Sequence, residues 1–404
     1  MQYREDKKKG GSLSVLGMGC MRFPGTVGVV DKNKTEKLCL AAVEKGINYF
    51  DTAYIYPGSE DALGTIIQRN TLRDRIFIAT KLPQLMCNAP TDFDRFFNEQ
   101  KRRLCTDYID YYLMHNVTGV AQWDNLKRLG IEEWIRNKKA SGEVRRVGFS
   151  YHGPHGEFEA ILNDYDWDFV QIQYNYINVN YQAGQAGLYL AAKKGLPVII
   201  MEPLLGGKLA TGLPKTAQKL FKDADPATSP VQWALNWLWD QPEVTVVLSG
   251  MNQLAQINEN TAFADKSRAG MMTDAQHMAV VEVIKSFDRS YRLRCTGCNY
   301  CLPCPKGINI PGCFASYNTS FVMGWFTGVK QYFLNTGLVS STPKYPRHCL
   351  NCGKCEKHCP QGIEIRRELK RVTRRFEKIG IRTAAWVVRK FFNRGKSSKK
   401  RPAR

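Results

Sequence analysis

The sequence has few of the features that mark exported or membrane-spanning proteins. No stretch reaches the roughly 18 consecutive apolar residues that a spanning helix needs. Three lysines precede an apolar run that ends at Cys20, but Glu5 and Asp6 lie beside them and glycines interrupt the run. We therefore expect neither a secretory signal nor a membrane span, and we predict a cytoplasmic protein.

The sequence also lacks the usual fingerprint of an open dinucleotide-binding sheet. No Gly-x-Gly-x-x-Gly follows a predicted strand and opens a helix. This absence argues against a doubly wound sheet, which is the main alternative for a chain in which strands and helices alternate. We find no flavin-binding motif either.

Cysteine and positive charge, in contrast, are abundant and unevenly placed. Eight of the 13 cysteines form two tight clusters late in this 404-residue chain, which indicates metal binding rather than disulfides. Residues 366–404 contain sixteen Lys and Arg against two Glu, and so carry +14 of the formal net charge of +21. The hydrophobic fraction of 43% suffices for a large folded core.

Short β-rich runs alternate with helical patterns over the first 250 residues. The predicted strands are Leu13–Gly19, Ile47–Asp51, Ile76–Thr80, Ile109–Met114, Val144–Phe149, Phe169–Ile172, Pro197–Met201 and Val244–Leu248. Alternation of this kind implies parallel pairing, and eight units in this length fit a closed barrel better than an open sheet. The predicted fold class is α/β, a (β/α)8 TIM barrel.

Five polar residues lie where the predicted barrel strands end at their carboxyl side, the usual place for chemistry in such a barrel. They are Asp51, Lys81, His115, Ser150 and Gln171. A lone Asp or His at such a position more often serves as a cap or a buried hydrogen-bond partner. Five at equivalent strand ends are harder to explain in that way.

At this point the sequence resembles the aldo-keto reductase family over most of residues 1–260. The segments that carry the resemblance are Asp51-Thr-Ala-Tyr-Ile-Tyr56, Glu60, Leu63-Gly64, Ala79-Thr-Lys81 and Asp110-Tyr-Tyr-Leu-Met-His115. The resemblance implies an NAD(P)H-dependent oxidoreductase that reduces an aldehyde or ketone, or oxidises the corresponding alcohol.

The resemblance also implies four catalytic residues, Asp51, Tyr56, Lys81 and His115, all present in this sequence. Tyr56 would donate the proton to the substrate oxygen. Because a tyrosine with a pKa near 10 is a weak acid at neutral pH, we expect the Lys81 ammonium to lower that pKa. Asp51 would keep Lys81 charged, and His115 would orient the substrate oxygen.

Further residues match family positions that bind the nicotinamide cofactor. They are Ser150, Gln171, Met201, Gly250, Gln256 and Asn260. Two of them depart from the family pattern. Met201 stands where many relatives have an aromatic ring against the nicotinamide, and Gln256 stands where NADP-preferring members have an arginine. The resemblance therefore leaves NADPH and NADH both open.

The two cysteine clusters have the spacing of ferredoxin runs, which bind [4Fe–4S] clusters. The first run is Cys295, Cys298, Cys301 and Cys304, and the second is Cys349, Cys352, Cys355 and Cys359. In such runs three thiolates bind one cluster, and the fourth, before proline, binds the other. This pairing predicts two clusters, one of them held by the first three cysteines of the second run together with Cys304.

Two alternatives stay open for this region: a single cluster, and structural zinc, which paired Cys-x2-Cys units also bind. The long segment Ile310–Arg347 between the runs favours an α-helical ferredoxin arrangement. Fusion of such a module to an aldo-keto reductase barrel resembles a known prokaryotic subgroup. We divide the chain into a barrel (1–285), a [4Fe–4S] ferredoxin-type domain (286–365) and a basic helical or disordered tail (366–404).

The partners follow from these features. We expect a small carbonyl or alcohol substrate, a ferredoxin-type redox partner or a purely structural role for the clusters, and contact of the basic tail with an anionic surface. No specific nucleic-acid binding is expected. The rival interpretation is an iron–sulfur electron-transfer or regulatory protein whose barrel binds cofactor without useful turnover.

Overall fold

A computed structural model describes residues 1–26, 29–153, 155–290, 292–293, 295, 301–337, 342–357, 359, 362–383 and 385–386. Cys298 and residues 387–404 of the predicted basic tail lie outside the described residues.

Eight parallel strands close into a barrel, as the alternating pattern predicted. They are β1 (Leu16–Gly19), β2 (Tyr49–Asp51), β3 (Phe77–Leu82), β4 (Ile109–Val117), β5 (Val144–Tyr151), β6 (Phe169–Gln173), β7 (Val198–Met201) and β8 (Val244–Ser249). Each strand pairs with the next in the chain, and β8 pairs with β1 to close the ring. The predicted (β/α)8 fold class is confirmed.

The first predicted strand, Leu13–Gly19, is too long at its start. Ser12–Ser14 instead pairs antiparallel with Tyr3–Glu5 as an N-terminal hairpin, and only Leu16–Gly19 enters the barrel. The Ser14 hydroxyl donates to the Leu16 carbonyl oxygen at 2.7 Å, which supports a bend at the residue between them. A local side-chain hydrogen bond of this kind competes with continuation of the strand.

Helices follow most of the strands. They are α1 (Lys32–Glu44), α2 (Ser59–Arg69), α3 (Thr91–Leu104), α4 (Val120–Arg128), α5 (Ile131–Ala140), α6 (His155–Asp164), α7 (Gly184–Lys193), α8 (Lys208–Thr211), α9 (Lys215–Ala224), α10 (Pro230–Trp239), α11 (Leu254–Lys266), α12 (Asp274–Ser290), α13 (Ile310–Val322), α14 (Trp325–Asn335), α15 (Lys354–Lys357) and α16 (Ile365–Phe376). Short 3-10 turns lie at Cys20–Arg22, Arg73–Arg75, Gln84–Met86, Leu205–Gly207 and Pro346–His348.

The barrel interior is filled by side chains rather than left as a pore. Its buried cluster includes Tyr49, Tyr111 and Phe169. The N-terminal hairpin contributes Asp6, which accepts hydrogen bonds from Arg146 Nε at 2.6 Å and Tyr111 Oη at 3.0 Å. A buried carboxylate is tolerated here because it is both charge-paired and hydrogen-bonded.

The described chain divides into two compact units. The first comprises residues 1–211 and 221–280, and the second comprises 212–220 together with the chain from Val281 onward. Among the described residues, no helix is both long enough and apolar enough to cross a lipid bilayer.

The second unit is mainly helical, as the long segment between the cysteine runs predicted. Helices α13 and α14 occupy that segment. Helix α16 buries one face, formed by residues at helical spacing, against the unit's core: Ile365, Leu369, Val372 and Phe376. The predicted basic tail thus begins within a regular helix that ends at Phe376, and residues 379–383 are helical again.

Candidate active site and cysteine sites

Three of the four predicted catalytic residues lie at the carboxyl ends of neighbouring strands β2, β3 and β4. Lys81 Nζ donates to Asp51 Oδ1 and to the Thr52 carbonyl oxygen, both at 2.7 Å. Lys81 and Asp51 are almost completely buried. A buried lysine held in this way presents a fixed positive charge to whatever lies beside it.

Tyr56, the fourth, reaches this pair from the loop between β2 and α2. Its backbone forms turn hydrogen bonds, from Tyr56 N to Ala53 O at 3.0 Å and from Ser59 N to Tyr56 O at 3.1 Å. Lys81 Nζ lies 5.2 Å from the centre of the Tyr56 ring. The centres of the Tyr56 and His115 rings are 5.9 Å apart, and the two ring planes are nearly perpendicular. The structure therefore brings all four side chains together.

The helix that follows Tyr56 is anchored by a buried carboxylate. Glu60 Oε1 accepts hydrogen bonds from Thr80 Oγ1 at 2.7 Å and Gln100 Nε2 at 2.9 Å, and Arg103 Nη1 donates to Oε2 at 3.2 Å. Because Thr80 immediately precedes Lys81, this network ties the start of α2 to the end of β3. The loop that carries Tyr56 is thereby held between the end of strand β2 and the anchored start of helix α2.

Burial sets the direction of the pKa shift of Tyr56 in this arrangement. It raises the pKa of the phenol, and although the Lys81 charge lowers that pKa, burial prevails. The expectation that Lys81 brings the phenol below its ordinary pKa is therefore not met in the protein alone. For Lys81 itself, burial acts to lower the pKa, but the Asp51 carboxylate and the Tyr56 phenol raise it overall, so the ammonium stays charged.

A second histidine faces this cluster and was absent from the sequence-based set. His152 directly follows β5, and its backbone N–H donates to Val117 O at 2.9 Å. Burial lowers the pKa of His115 to about 3, and the charges of Lys81 and His152 add to the effect. Burial likewise lowers the pKa of His152, while a hydrogen bond with Gln182 opposes the shift. Both imidazoles are therefore neutral near pH 7.

Ser150 and Gln171, predicted to bind the cofactor, lie opposite each other on the adjacent strands β5 and β6. Ser150 Oγ accepts a hydrogen bond from Asn116 N at 2.8 Å. Gln171 Nε2 makes only a 3.7 Å contact with Met201 Sδ, and its buried Oε1 has no hydrogen-bond partner among the described residues. A buried amide left in this state fits the carboxamide of a nicotinamide.

Gln173 strengthens that fit and was also overlooked. Both polar atoms of its side chain are buried without a partner among the described residues. Its signal in the sequence was the alternation Gln-Ile-Gln, since residues two apart in a strand face the same side. His152 had the weaker signal of a histidine just past a strand end.

The other predicted cofactor residues lie at the end of β7, in the loop after β8 and in helix α11. Met201 ends β7, and the loop after it has left-handed backbone at Glu202 and from Leu205 to Gly207. Beyond β8, Asn260 Nδ2 donates to Ser249 Oγ at 3.2 Å. Gln256 Oε1 accepts from Asn252 N at 2.9 Å, and Gly250 is exposed. These residues line a path along β7 and β8.

The second unit gathers the described cysteines around one core. Cys295, Cys301, Cys304, Cys349, Cys355 and Cys359 pack against its hydrophobic cluster. A single cavity is lined by Cys301, Cys304, Cys349, Cys352 and Cys355. Asn351 N donates to Cys349 Sγ at 3.4 Å, an N–H···S contact of the kind that tunes cluster sulfurs. Thiols are the ligand type that an iron–sulfur cluster takes, but among the described residues no three Cys, His, Asp or Glu side chains are placed to hold one metal ion together.

Two family models match the chain. One, described as the aldo/keto reductase family, matches residues 15–272. The other, described as a 4Fe-4S dicluster domain, matches residues 294–364.

Curated relatives match the barrel region. The 6-dehydroglucose reductase of Novosphingobium aromaticivorans is 30% identical over 247 residues, which cover 55% of this chain and 78% of that protein. An aldo-keto reductase of Mycolicibacterium vanbaalenii is 29% identical over 232 residues, or 55% and 75% of the two chains.

Solved structures show the same fold. An aldo-keto reductase from Bacillus halodurans, in its holo form, superposes with a TM-score of 0.58 at 23% identity, covering 70% of this chain and 96% of that one. An aldo-keto reductase from Klebsiella pneumoniae in complex with NADPH gives a TM-score of 0.57 at 20% identity, with the same coverage.

Proposed function

The chain belongs to the aldo/keto reductase family, and from that premise we propose that it reduces an aldehyde or ketone with NADPH or NADH. It is an oxidoreductase of the aldo-keto reductase type with a 4Fe-4S domain that follows the barrel in the sequence. The observation that carries the proposal is the buried Lys81, paired with Asp51 and set beside the Tyr56 ring at the barrel mouth.

Each polar group at the mouth has a part in this reaction. When bound, the nicotinamide supplies the hydride that reaches the carbonyl carbon. Tyr56 Oη donates its proton to the carbonyl oxygen, and the fixed charge of Lys81 stabilises the phenolate that remains. Asp51 keeps Lys81 charged and in place. Neutral His115 donates a hydrogen bond to the substrate oxygen and orients it.

The cofactor residues extend this assignment. Ser150 and Gln171, with Gln173 beside them, would hold the carboxamide, and Met201 would pack near the ring. Gly250, Gln256 and Asn260 would receive the adenosine end. Because Gln256 carries no charge, it forms no ion pair with a 2′-phosphate, so we propose that both NADPH and NADH are accepted.

We propose two [4Fe–4S] clusters in residues 286–365, behind a barrel of residues 1–285 and before a basic tail of residues 366–404. Cys304 would join Cys349, Cys352 and Cys355 on one cluster, and Cys295, Cys298, Cys301 and Cys359 would hold the other. Cys301 and Cys304 both line one cavity with Cys349, Cys352 and Cys355, which supports joint binding by the two runs, while the pairing itself rests on their spacing. Thiolate clusters persist in reducing conditions, which supports a location in the cytoplasm.

We propose an acidic one-electron carrier as the partner, because of the surface around the cluster assigned to Cys304 and the second cysteine run. Lys306 and Lys354 line the same cavity as the cysteines and are exposed, and Leu350 beside them is 58% exposed. Arg366 lines it too and is paired with Glu356. An apolar centre with a basic rim attracts a negatively charged partner.

Replacement of Tyr56 tests the proposed reaction. In Tyr56→Phe we expect kcat with NADPH and a panel of small aldehydes and ketones to fall at least a thousandfold, because the proton donor is lost. Binding of NADPH, measured by calorimetry, should be unchanged. Tyr54→Phe is the matched control, since that ring packs on Phe96 and under Arg103, and it should keep full activity.

Two results would contradict the proposal. If Tyr56→Phe retained turnover, the tetrad assignment would fall. If the wild-type protein bound NADPH but reduced no carbonyl in the panel, the rival interpretation of a cofactor-binding regulatory protein would replace it.

A further inference from the structure

The positive charges along α16 are only partly balanced by carboxylates. At the start of the helix Arg366 pairs with Glu356 at 2.7 Å. Lys370 and Arg374, which lie one helical turn apart, and Lys378, just past the helix, are exposed and form no ion pair with any described residue. Like charges one turn apart on a helix repel each other. An anionic surface would therefore stabilise this row of cations.

Buried contacts hold the end of α16 in place. Glu377, the residue after the helix, accepts a hydrogen bond from Tyr332 Oη at 2.5 Å and pairs with Arg347. Phe376 stacks on the Tyr332 ring, with the ring centres 4.7 Å apart. Because these groups are packed against the core of the second unit, the chain that follows them leaves from a defined place on the surface of that unit.

Large apolar side chains are exposed just beyond this anchor. Residues 379–383 and 385–386 are helical. Ile379 is 84% exposed and Trp386 is 58% exposed, whereas Ala385 is buried. Ile379 and the exposed Arg382 lie three residues apart in the first helical stretch and so share one face of it. Exposed apolar groups beside a cation suit a bilayer interface, where the apolar part enters the boundary of the acyl chains and the charge stays with the headgroups.

The sequence of residues 387–404 continues the combination of charged and apolar residues. It contains eight Lys and Arg and neither Asp nor Glu. The apolar pairs Val387-Val388 and Phe391-Phe392 flank Arg389-Lys390. Basic clusters of this size on an amphipathic segment are typical of binding to anionic lipid. RNA would also attract the charge, but it offers no hydrocarbon for the isoleucine and the valines.

We propose that residues 370–404 bind the surface of a membrane that contains anionic lipid. Lys370, Arg374 and Lys378 would lie at the headgroups, and Ile379 and Trp386 would reach the boundary of the acyl chains. The contact is interfacial, because no described helix is both long enough and apolar enough to cross the bilayer. It does not depend on the proposed carbonyl reduction.

Cosedimentation of the full-length, anaerobically purified protein with lipid vesicles tests the contribution of charge. At low salt, vesicles of phosphatidylcholine with about one third phosphatidylserine should retain the protein at least tenfold more strongly than vesicles of phosphatidylcholine alone. In Arg374→Gln/Lys378→Gln the partition coefficient should fall about ten- to thirtyfold, because two cations leave the headgroup region. Lys193→Gln/Lys194→Gln removes the same charge from exposed positions at the end of α7, and this matched control should bind like wild type.

A second variant separates lipid from other polyanions. Ile379→Ser/Trp386→Ser keeps every positive charge, so its binding to single-stranded RNA should equal that of wild type, while its partition onto the anionic vesicles should fall about tenfold. Melting temperatures should be unchanged, since both side chains are exposed.

Two results would overturn the proposal. One is a failure of the anionic vesicles to retain the wild-type protein at low salt. The other is equal vesicle binding by Ile379→Ser/Trp386→Ser and wild type, which would mean that the tail binds any polyanion through charge alone. Neither readout requires carbonyl turnover, so a failure of the proposed function would leave this test intact.

Discussion

At the residue scale, the central feature is the buried charge of Lys81, which depends on its neighbours and above all on Asp51. Burial alone acts to lower the pKa of Lys81, and the Asp51 carboxylate and Tyr56 phenol reverse that effect. Because strand ends in a barrel converge, the sequence predicted that Asp51, Lys81 and His115 lie close together, and the family resemblance added Tyr56. It did not predict that burial would outweigh the Lys81 charge and raise the pKa of Tyr56, since the balance between burial and a neighbouring charge depends on three-dimensional packing.

Asp51→Asn tests this dependence through pH. Without the carboxylate, burial should bring the pKa of Lys81 below its ordinary value, so its charge is lost as pH rises through that lower pKa. The alkaline fall of kcat/KM should therefore begin at a lower pH than in wild type, measured from pH 6 to 10. Asp124→Asn, which breaks an exposed Asp–Lys pair in α4, should leave the profile unchanged. An unshifted profile in folded Asp51→Asn protein would contradict this role of Asp51.

At the scale of elements, the position of Tyr56 depends on how closely α2 packs against α3. A Cβ on Gly64 would lie 2.1 Å from the Arg103 carbonyl oxygen and 2.6 Å from the Leu104 carbonyl carbon, both backbone atoms. The Leu-Gly pair was part of the family resemblance in the sequence. Only the structure explains why this residue is glycine: it permits the close contact between α2 and α3. The same contact brings Arg103 within hydrogen-bonding distance of Glu60.

Gly64→Ala should therefore destabilise the barrel by roughly 1–3 kcal/mol, because backbone cannot move aside cheaply. The melting temperature should fall. The kcat should also fall, because α2 carries Glu60, whose hydrogen bonds anchor the helix next to the Tyr56 loop. Gly156→Ala in α6 is the matched control, because its Cβ would meet nothing within 4 Å. That control should be as stable as wild type or more so. Equal melting temperatures for Gly64→Ala and wild type would contradict the packing argument.

At the scale of the whole molecule, alternation of strands and helices was enough to predict the barrel, and cysteine spacing was enough to predict the cluster domain. Both signals are periodic and local, so they survive in a single sequence. His152 escaped prediction because it lies just past a strand end and acquires its neighbours only when distant strands close the ring. Substrate identity resides in the loops past the strand ends.

The most direct test of the proposed reduction uses NADPH that carries deuterium at both C4 positions of the nicotinamide and follows the label into the product. Full-length protein, purified anaerobically and containing about eight irons for two clusters, is incubated with an aldehyde that it reduces. If hydride passes from the nicotinamide to the carbonyl carbon, we expect deuterium on the alcohol carbon and no product with Tyr56→Phe. We also expect that NADPH alone does not bleach the cluster absorbance. Oxidation of NADPH with bleached clusters and no label in the alcohol would contradict the proposed reduction.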